Sequence, residues 1–234
     1  KAPADAVALV SRGLGESVLG RDARGAPDTH RGDSQTESLP ISKGGRMWKA
    51  VILDLDGVII DAEPLKIESY WRALSKEPYG VKLPRKEYID WHVENCTGKS
   101  RKEVCEEILR KFALEETARE RAEKIQEEER DGLAQRIYED LLANYEPRGG
   151  FPPWKAIAFD RGVIYEGELT DQVPLILPSR RFLENLVKMG SLKAGLVTRT
   201  KRETTLGHLR RLGIPRAWFG TIICEDDVPD YLLE

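Results

Sequence analysis

The first 45 positions carry no sustained alternation or helical spacing of apolar residues, and an ordered pattern begins abruptly near Met47. From Trp48 to Leu53 almost every residue is apolar, and Asp54, Asp56 and Gly57 end the run. A short apolar run of this kind predicts a strand buried on both faces, as in a parallel sheet. After Asp61 the period changes. Pro64 suits a first helical turn, and Leu65, Ile67, Tyr70, Trp71 and Leu74 recur at roughly helical spacing. A loop around residues 78–84 leads to a second helix. Ser100, with Glu103 three residues later, predicts a capping box opening a third. The charged stretch from Leu114 to Tyr145 pairs Glu with Lys or Arg at helical spacing, as a solvated helix face does.

Alternation of strands and helices returns in the last third. Residues 179–189 predict a helix with Phe182, Leu183, Leu186 and Val187 turned inward, stopped by Gly190. Ala194 to Val197 reads as a short buried strand ending at Thr198. Arg202 to Leu212 reads as a helix with Leu206, Leu209 and Leu212 on one side, and Thr221 to Cys224 as another strand. Strands separated by helices through short connections predict an α/β fold, a Rossmann-like parallel sheet, with ligands beyond the carboxyl ends of its strands. Asp54 and Thr198 fall there.

Composition changes this picture little. The 234 residues are 40% hydrophobic and 33% charged, with 37 basic and 40 acidic residues and a formal charge of −3. That balance argues against a general nucleic-acid surface. No apolar run reaches bilayer length, so no membrane partner is expected. Cys96, Cys105 and Cys224 form no CxxC pair, which favours a reducing, cytoplasmic setting over a disulfide or zinc scaffold. Residues 1–46, rich in Gly, Ser, Arg, Asp and Pro, read as a disordered extension.

The chemistry concentrates in Asp54-Leu55-Asp56-Gly57. Two carboxylates at a strand end repel unless a cation stands near them, and magnesium accepts such ligands together with phosphate and water. One carboxylate can then attack phosphorus while the other handles the leaving-group proton.

Residues 51–61 and the following Ala62-Glu63-Pro64-Leu65 resemble the first motif of the haloacid dehalogenase superfamily, in the branch of phosphoglycolate phosphatases and β-phosphoglucomutases. The resemblance implies Asp54 as nucleophile, Asp56 as general acid/base, and both on Mg2+. Asp56 favours phosphate esters over halides. Gly195-Leu196-Val197-Thr198 is similar to the second motif, which makes Thr198 a phosphate-binding residue. Arg199 either reinforces it or is an exposed helix-start arginine. Residues 62–173 take the place of a helical cap, between core segments 47–61 and 174–234. Within the cap, Gly98 and Lys99 resemble a loop that reaches the active site, Lys99 being either a substrate contact or a solvated lysine.

The pattern breaks near the C-terminus. Relatives carry a third-motif lysine and late carboxylates, and residues 224–234 supply neither, so the core reads as C-terminally incomplete. Asp226 and Asp227 lie on the wrong side of the sheet to replace them, and the Asp54 strand is left with a bare edge. Residues 154–164 echo residues 48–59, with Arg161 where Asp56 stands. They read as a further strand in the cap or at a sheet edge, or as a coincidental apolar segment. The expected activity is magnesium-dependent hydrolysis of a small phosphorylated metabolite. A sugar phosphomutase, or an impaired binding module, is the alternative. No oligomeric state follows from the sequence.

Overall fold

A computed structural model describes residues 7–10, 49–143 and 151–228. Four strands, β1 (Val7–Val10), β2 (Ala50–Leu53), β3 (Lys193–Val197) and β4 (Phe219–Ile223), form one parallel sheet in that order. Helices α1 (Glu63–Ser75), α2 (Arg85–Cys96), α3 (Arg101–Phe112), α4 (Glu115–Glu127), α5 (Gly132–Ala143) and α6 (Pro153–Ile164) lie between β2 and β3. Helix α7 (Leu177–Met189) precedes β3, and α8 (Arg202–Arg211) joins β3 to β4. Among the described residues no helix is long and apolar enough to cross a membrane.

Two hydrophobic clusters organise the packing. One gathers the sheet, α7 and α8 around Leu53, Leu183, Leu196, Leu209 and Ile222. The other gathers the six-helix insert around Tyr88, Ile108, Ile125, Leu141 and Ile157. Helices form where sequence supplies their ends. Ser100 accepts the Glu103 N–H while the Glu103 carboxylate takes the Ser100 N–H, a complete capping box. Gly190 closes α7 at φ +63°, a left-handed conformation that a β-carbon disfavours.

Three expectations change. Val7–Val10 were read within a disordered extension. They instead pair with β2 in register from Val7↔Ala50 to Val10↔Leu53 and cover the edge of the Asp54 strand expected to be bare. An apolar tetrapeptide gains structure there because the outer side of β2 offers a row of unpaired backbone groups. The other positions of residues 1–46 lie outside the described residues, as do Pro229 to Glu234.

Residues 154–164 are not a strand but α6. Pro153 stands in its first turn, and Trp154, Ala156, Ile157, Ala158 and Phe159 are all buried. The helix is wrapped by α1, α3, α4 and α5, so it is buried nearly all round and its apolar residues show no period to separate it from a strand. In α7, Leu183 and Leu186 are buried, whereas Phe182 and Val187 are 37% and 43% exposed. A single stripe of that helix meets the sheet, and these two fall on its flanks.

Candidate active site

Because Leu53 pairs with Leu196 in the parallel register, Asp54 and Thr198 leave the sheet at neighbouring carboxyl ends. Beyond Asp54 the chain folds tightly on itself. Gly57 donates to the Ile60 carbonyl at 2.7 Å and takes φ +70°, where glycine alone is unstrained. Asp61 N–H and Ile176 N–H then bond to Pro174 and Ile59 carbonyls at 3.0 and 2.9 Å, tying the exit from the sheet to the return from the helical insert.

Asp54 Oδ1 accepts its neighbour Leu55 N–H at 2.6 Å. Burial holds the Asp54 carboxyl above its ordinary range. The Leu55 bond opposes this, the Asp56 charge adds to it, and the Lys66 charge relieves it. Among the described residues Asp54 has no ion-pair partner. Asp56 Oδ2 is held by Lys66 Nζ at 3.0 Å and by the Thr200 hydroxyl at 3.3 Å. Lys66, from the first turns of α1, also reaches Glu63 Oε1 at 3.0 Å. Burial works against its charged form, but the Asp56 and Glu63 carboxylates more than offset this and raise its pKa.

Thr198 is buried. Its N–H donates to the Ile223 carbonyl at 3.0 Å, and its hydroxyl oxygen accepts Thr200 N–H at 3.1 Å, leaving its own O–H able to donate. Thr200 thus joins Thr198 to Asp56, and Lys66 holds Asp56 while its charge is felt by Asp54; sequence reasoning missed both residues. Thr200 carries a weak signal, a second hydroxyl two positions after Thr198. Lys66 carries one too, a lysine three residues after Glu63 in a helix that begins at the motif.

Among the described residues, the remaining candidates share no side-chain hydrogen bond or ion pair with this group. Gly98, at φ +79°, makes the exposed turn between α2 and α3. Lys99 Nζ pairs with Glu107 Oε1 of α3 at 2.5 Å, and no hydrogen bond or ion pair among the described residues joins it to Asp54, Asp56 or Thr198. Arg199 is exposed, its charge felt by Glu225. Asp226 and Asp227, beside Cys224, serve Arg202. Asp226 Oδ1 accepts Arg202 N–H at 2.9 Å, and Asp227 Oδ1 accepts Arg202 Nε at 3.0 Å. That engagement, at the end of β4 with β3 between it and β2, removes them from the Asp54 site. Lys201, next in the loop after Thr198, pairs with Asp140 of α5, which Arg101 approaches at 3.6 Å. The sheet and the insert are therefore joined by charges as well as by the chain.

What the group around Asp54 can do follows from its donors. A half-buried, unpaired carboxylate beside a second carboxylate is an oxygen-only pair suited to a hard divalent cation, and the same pair can act as nucleophile and acid/base.

Several solved structures are similar to this chain at low identity. A Thermotoga maritima protein assigned as a β-phosphoglucomutase is 23% identical with a TM-score of 0.45, covering 79% of this chain and 68% of that one. A Haemophilus somnus protein assigned as a phosphoglycolate phosphatase is 19% identical, with a TM-score of 0.45 and coverages of 78% and 64%. A subfamily IA hydrolase of the same superfamily from Geobacter sulfurreducens is 18% identical, with a TM-score of 0.44 and coverages of 78% and 65%. The chain thus spans about two thirds of the length of the structures it matches. No match is found among curated proteins. The family model for haloacid dehalogenase-like hydrolases, however, matches residues 48–231, from the strand bearing Asp54 past the end of β4. The chain belongs to the haloacid dehalogenase-like hydrolases.

Proposed function

We propose that this chain is a magnesium-dependent phosphatase that hydrolyses a small phosphorylated metabolite through an aspartyl-phosphate on Asp54. The observation that carries the reading is the asymmetry of the two carboxylates. Asp56 is anchored by Lys66 and Thr200, while Asp54 keeps one oxygen without a hydrogen-bond partner among the described residues and no ion pair. A nucleophile needs that freedom, and an acid/base needs that orientation.

In this mechanism the unbonded Asp54 oxygen attacks phosphorus, and the bond from phosphorus to the ester oxygen breaks. Asp56 gives its proton to the departing oxygen. Water then attacks the aspartyl-phosphate, Asp56 takes back a proton, and inorganic phosphate leaves with the Asp54 carboxylate restored. Lys66 and Thr200 hold the Asp56 carboxylate in place for both proton transfers. The Thr198 hydroxyl and the backbone N–H beyond it donate to phosphoryl oxygens as charge develops. Asp54 and Asp56 would hold magnesium, which supplies neutralisation of the phosphoryl charge. The six-helix insert, in this reading, is a cap that excludes water from the site.

The test is phosphate release from para-nitrophenyl phosphate by the purified chain with and without magnesium, beside Asp54→Asn. Release that requires magnesium and falls by at least ~10^3-fold in the variant supports the reading. A folded chain with no release, or a variant as active as its parent, overturns it.

A further inference from the structure

A cleft of about 390 Å3 opens in the insert, between the end of α1, the turn from α4 to α5, and α6. Its volume falls within the range of about 300–1,000 Å3 usual for small-molecule sites. Lys76 and Glu77, just past the end of α1, line it. Lys66, on the first turns of the same helix, stands about 15 Å away along the helix axis. No residue of the Asp54 group borders the cleft.

Arg130, in the turn between α4 and α5, faces this cleft with donors that the protein leaves unanswered. Its guanidinium carbon sits 3.7 Å from the Tyr138 ring centroid, yet its Nε and Nη1 are buried without a hydrogen-bond partner. A ring face answers the charge of a guanidinium and not its separate N–H donors. Buried donors are nearly always satisfied in folded proteins, so two on one side chain mark where an outside acceptor belongs. Arg121, on the same cleft, shows the contrast. It is engaged by Asp160 and by Glu128, each at 2.8 Å.

The surrounding charge decides what kind of acceptor fits. Six carboxylates line the cleft against three cations. Asp160 and Glu128 are neutralised by Arg121, and Glu168 by Arg72 at 3.1 Å. Glu77, Glu129 and Asp131 are exposed and form no ion pair among the described residues. A dianion such as phosphate would suit Arg130 but would be repelled by these three. A simple cation would suit the three and leave the Arg130 donors unmet. A ligand carrying both signs answers both, and Ala134, Phe159 and Val163 give its stem an apolar wall.

We propose that this cleft binds a basic α-amino acid, whose carboxylate takes the Arg130 donors while its cationic groups meet Glu77, Glu129 and Asp131. Charge-assisted hydrogen bonds of this kind are the strong ones, and the ring of Tyr138 already holds the guanidinium in place. The site lies outside the phosphatase chemistry and does not depend on it.

The experiment is titration calorimetry of the full chain with L-lysine and with cadaverine, which has the same stem and no carboxylate. We expect saturable binding of L-lysine, at least about 10-fold weaker binding of cadaverine, and a loss of about 10-fold or more for L-lysine in Arg130→Gln. Asp54→Asn should bind L-lysine as its parent does, which keeps this outcome apart from the fate of the phosphatase reading. No saturable heat up to about 10 mM L-lysine overturns the proposal. Equal affinity for L-lysine and cadaverine overturns it too, since acidic attraction alone would then be at work. So does equal affinity in Arg130→Gln, or binding that disappears with Asp54. Should Arg130→Gln lose its helical circular dichroism, the exposed pair Glu129→Gln and Asp131→Asn takes its place. Weaker binding of L-lysine in that double variant upholds the site, and unchanged binding overturns it.

Discussion

Lys66 Nζ stands 3.0 Å from Asp56 Oδ2, so a lysine on the first helix after the motif neutralises the second carboxylate of the site. The resemblance leads one to seek a lysine after the Thr221–Cys224 strand, and residues 224–234 contain none. Lys66 reaches the site from the other direction in sequence. Replacing it with methionine keeps the stem and removes the charge. Lys66→Met is expected to lower magnesium-dependent kcat by about 10- to 100-fold and to cost about 1–3 kcal/mol in urea denaturation, because Asp56 loses its strongest partner. An unchanged kcat would show the pair to be structural only.

His92 gives the fold a pH signature. Burial, the largest influence, pushes its pKa down from 6.5 to about 4, and its Nδ1 lies 3.1 Å from the Tyr88 hydroxyl. A proton therefore binds the unfolded chain more tightly than the folded one between those two values. Stability from this group is complete above about pH 6.5 and is lost as pH falls toward about 4, by up to about 3 kcal/mol. His92→Gln keeps a polar partner for Tyr88 and cannot titrate. Its unfolding free energy should decline less than that of the parent between pH 7 and pH 4, and parallel curves would refute the assignment.

Two helical glycines should respond to alanine in opposite directions. A β-carbon on Gly162 of α6 would come within 3.0 Å of Ile137 Cγ2, in the buried contact with α5. One on Gly207 of α8 would meet nothing within 4 Å. Gly162→Ala is expected to destabilise by about 1–3 kcal/mol through overpacking. Gly207→Ala should stabilise by about 0.5–1 kcal/mol, since alanine is the better helix former. Chemical denaturation of both variants reads the two signs.

The outer edge of β2 supplies a test of β1. A chain without residues 1–46 would present β2 with unpaired backbone groups on one side, and such edges recruit other chains. Light scattering and size-exclusion chromatography should show concentration-dependent self-association in the shortened chain, and a monodisperse sample matching the longer chain would remove β1 from the account.

The local parts of the site are legible in the sequence. The Asp54-Leu55-Asp56-Gly57 turn, the Thr198 strand end, the Ser100–Glu103 capping box and the Gly190 stop each declare themselves within a few neighbours. What stays hidden depends on distant partners. Lys66 meets Asp56 only because α1 turns back over the loop it leaves. Arg161 looks like a surface charge in an apolar run until four helices close around α6. That run misleads because uniform burial erases the period that tells a helix from a strand. The tetrapeptide Val7–Val10 carries no conformational instruction of its own and is ordered by the strand it joins. Phe182 and Val187 are read inward because apolar character alone does not tell how wide a stripe the sheet will cover.

The six-helix insert between β2 and α7 has one more consequence, for the order of assembly. During synthesis Asp54 emerges long before Thr198, and the strand that carries it must wait for the whole insert before its inner neighbour exists. The insert has its own buried cluster, so it can condense first, while the sheet closes late over a long loop. Asp54 and Thr198 thus become neighbours only in the last step of folding. Partly folded chains would hold an organised helical half with no working centre, and recovery of activity on refolding should lag behind recovery of helix.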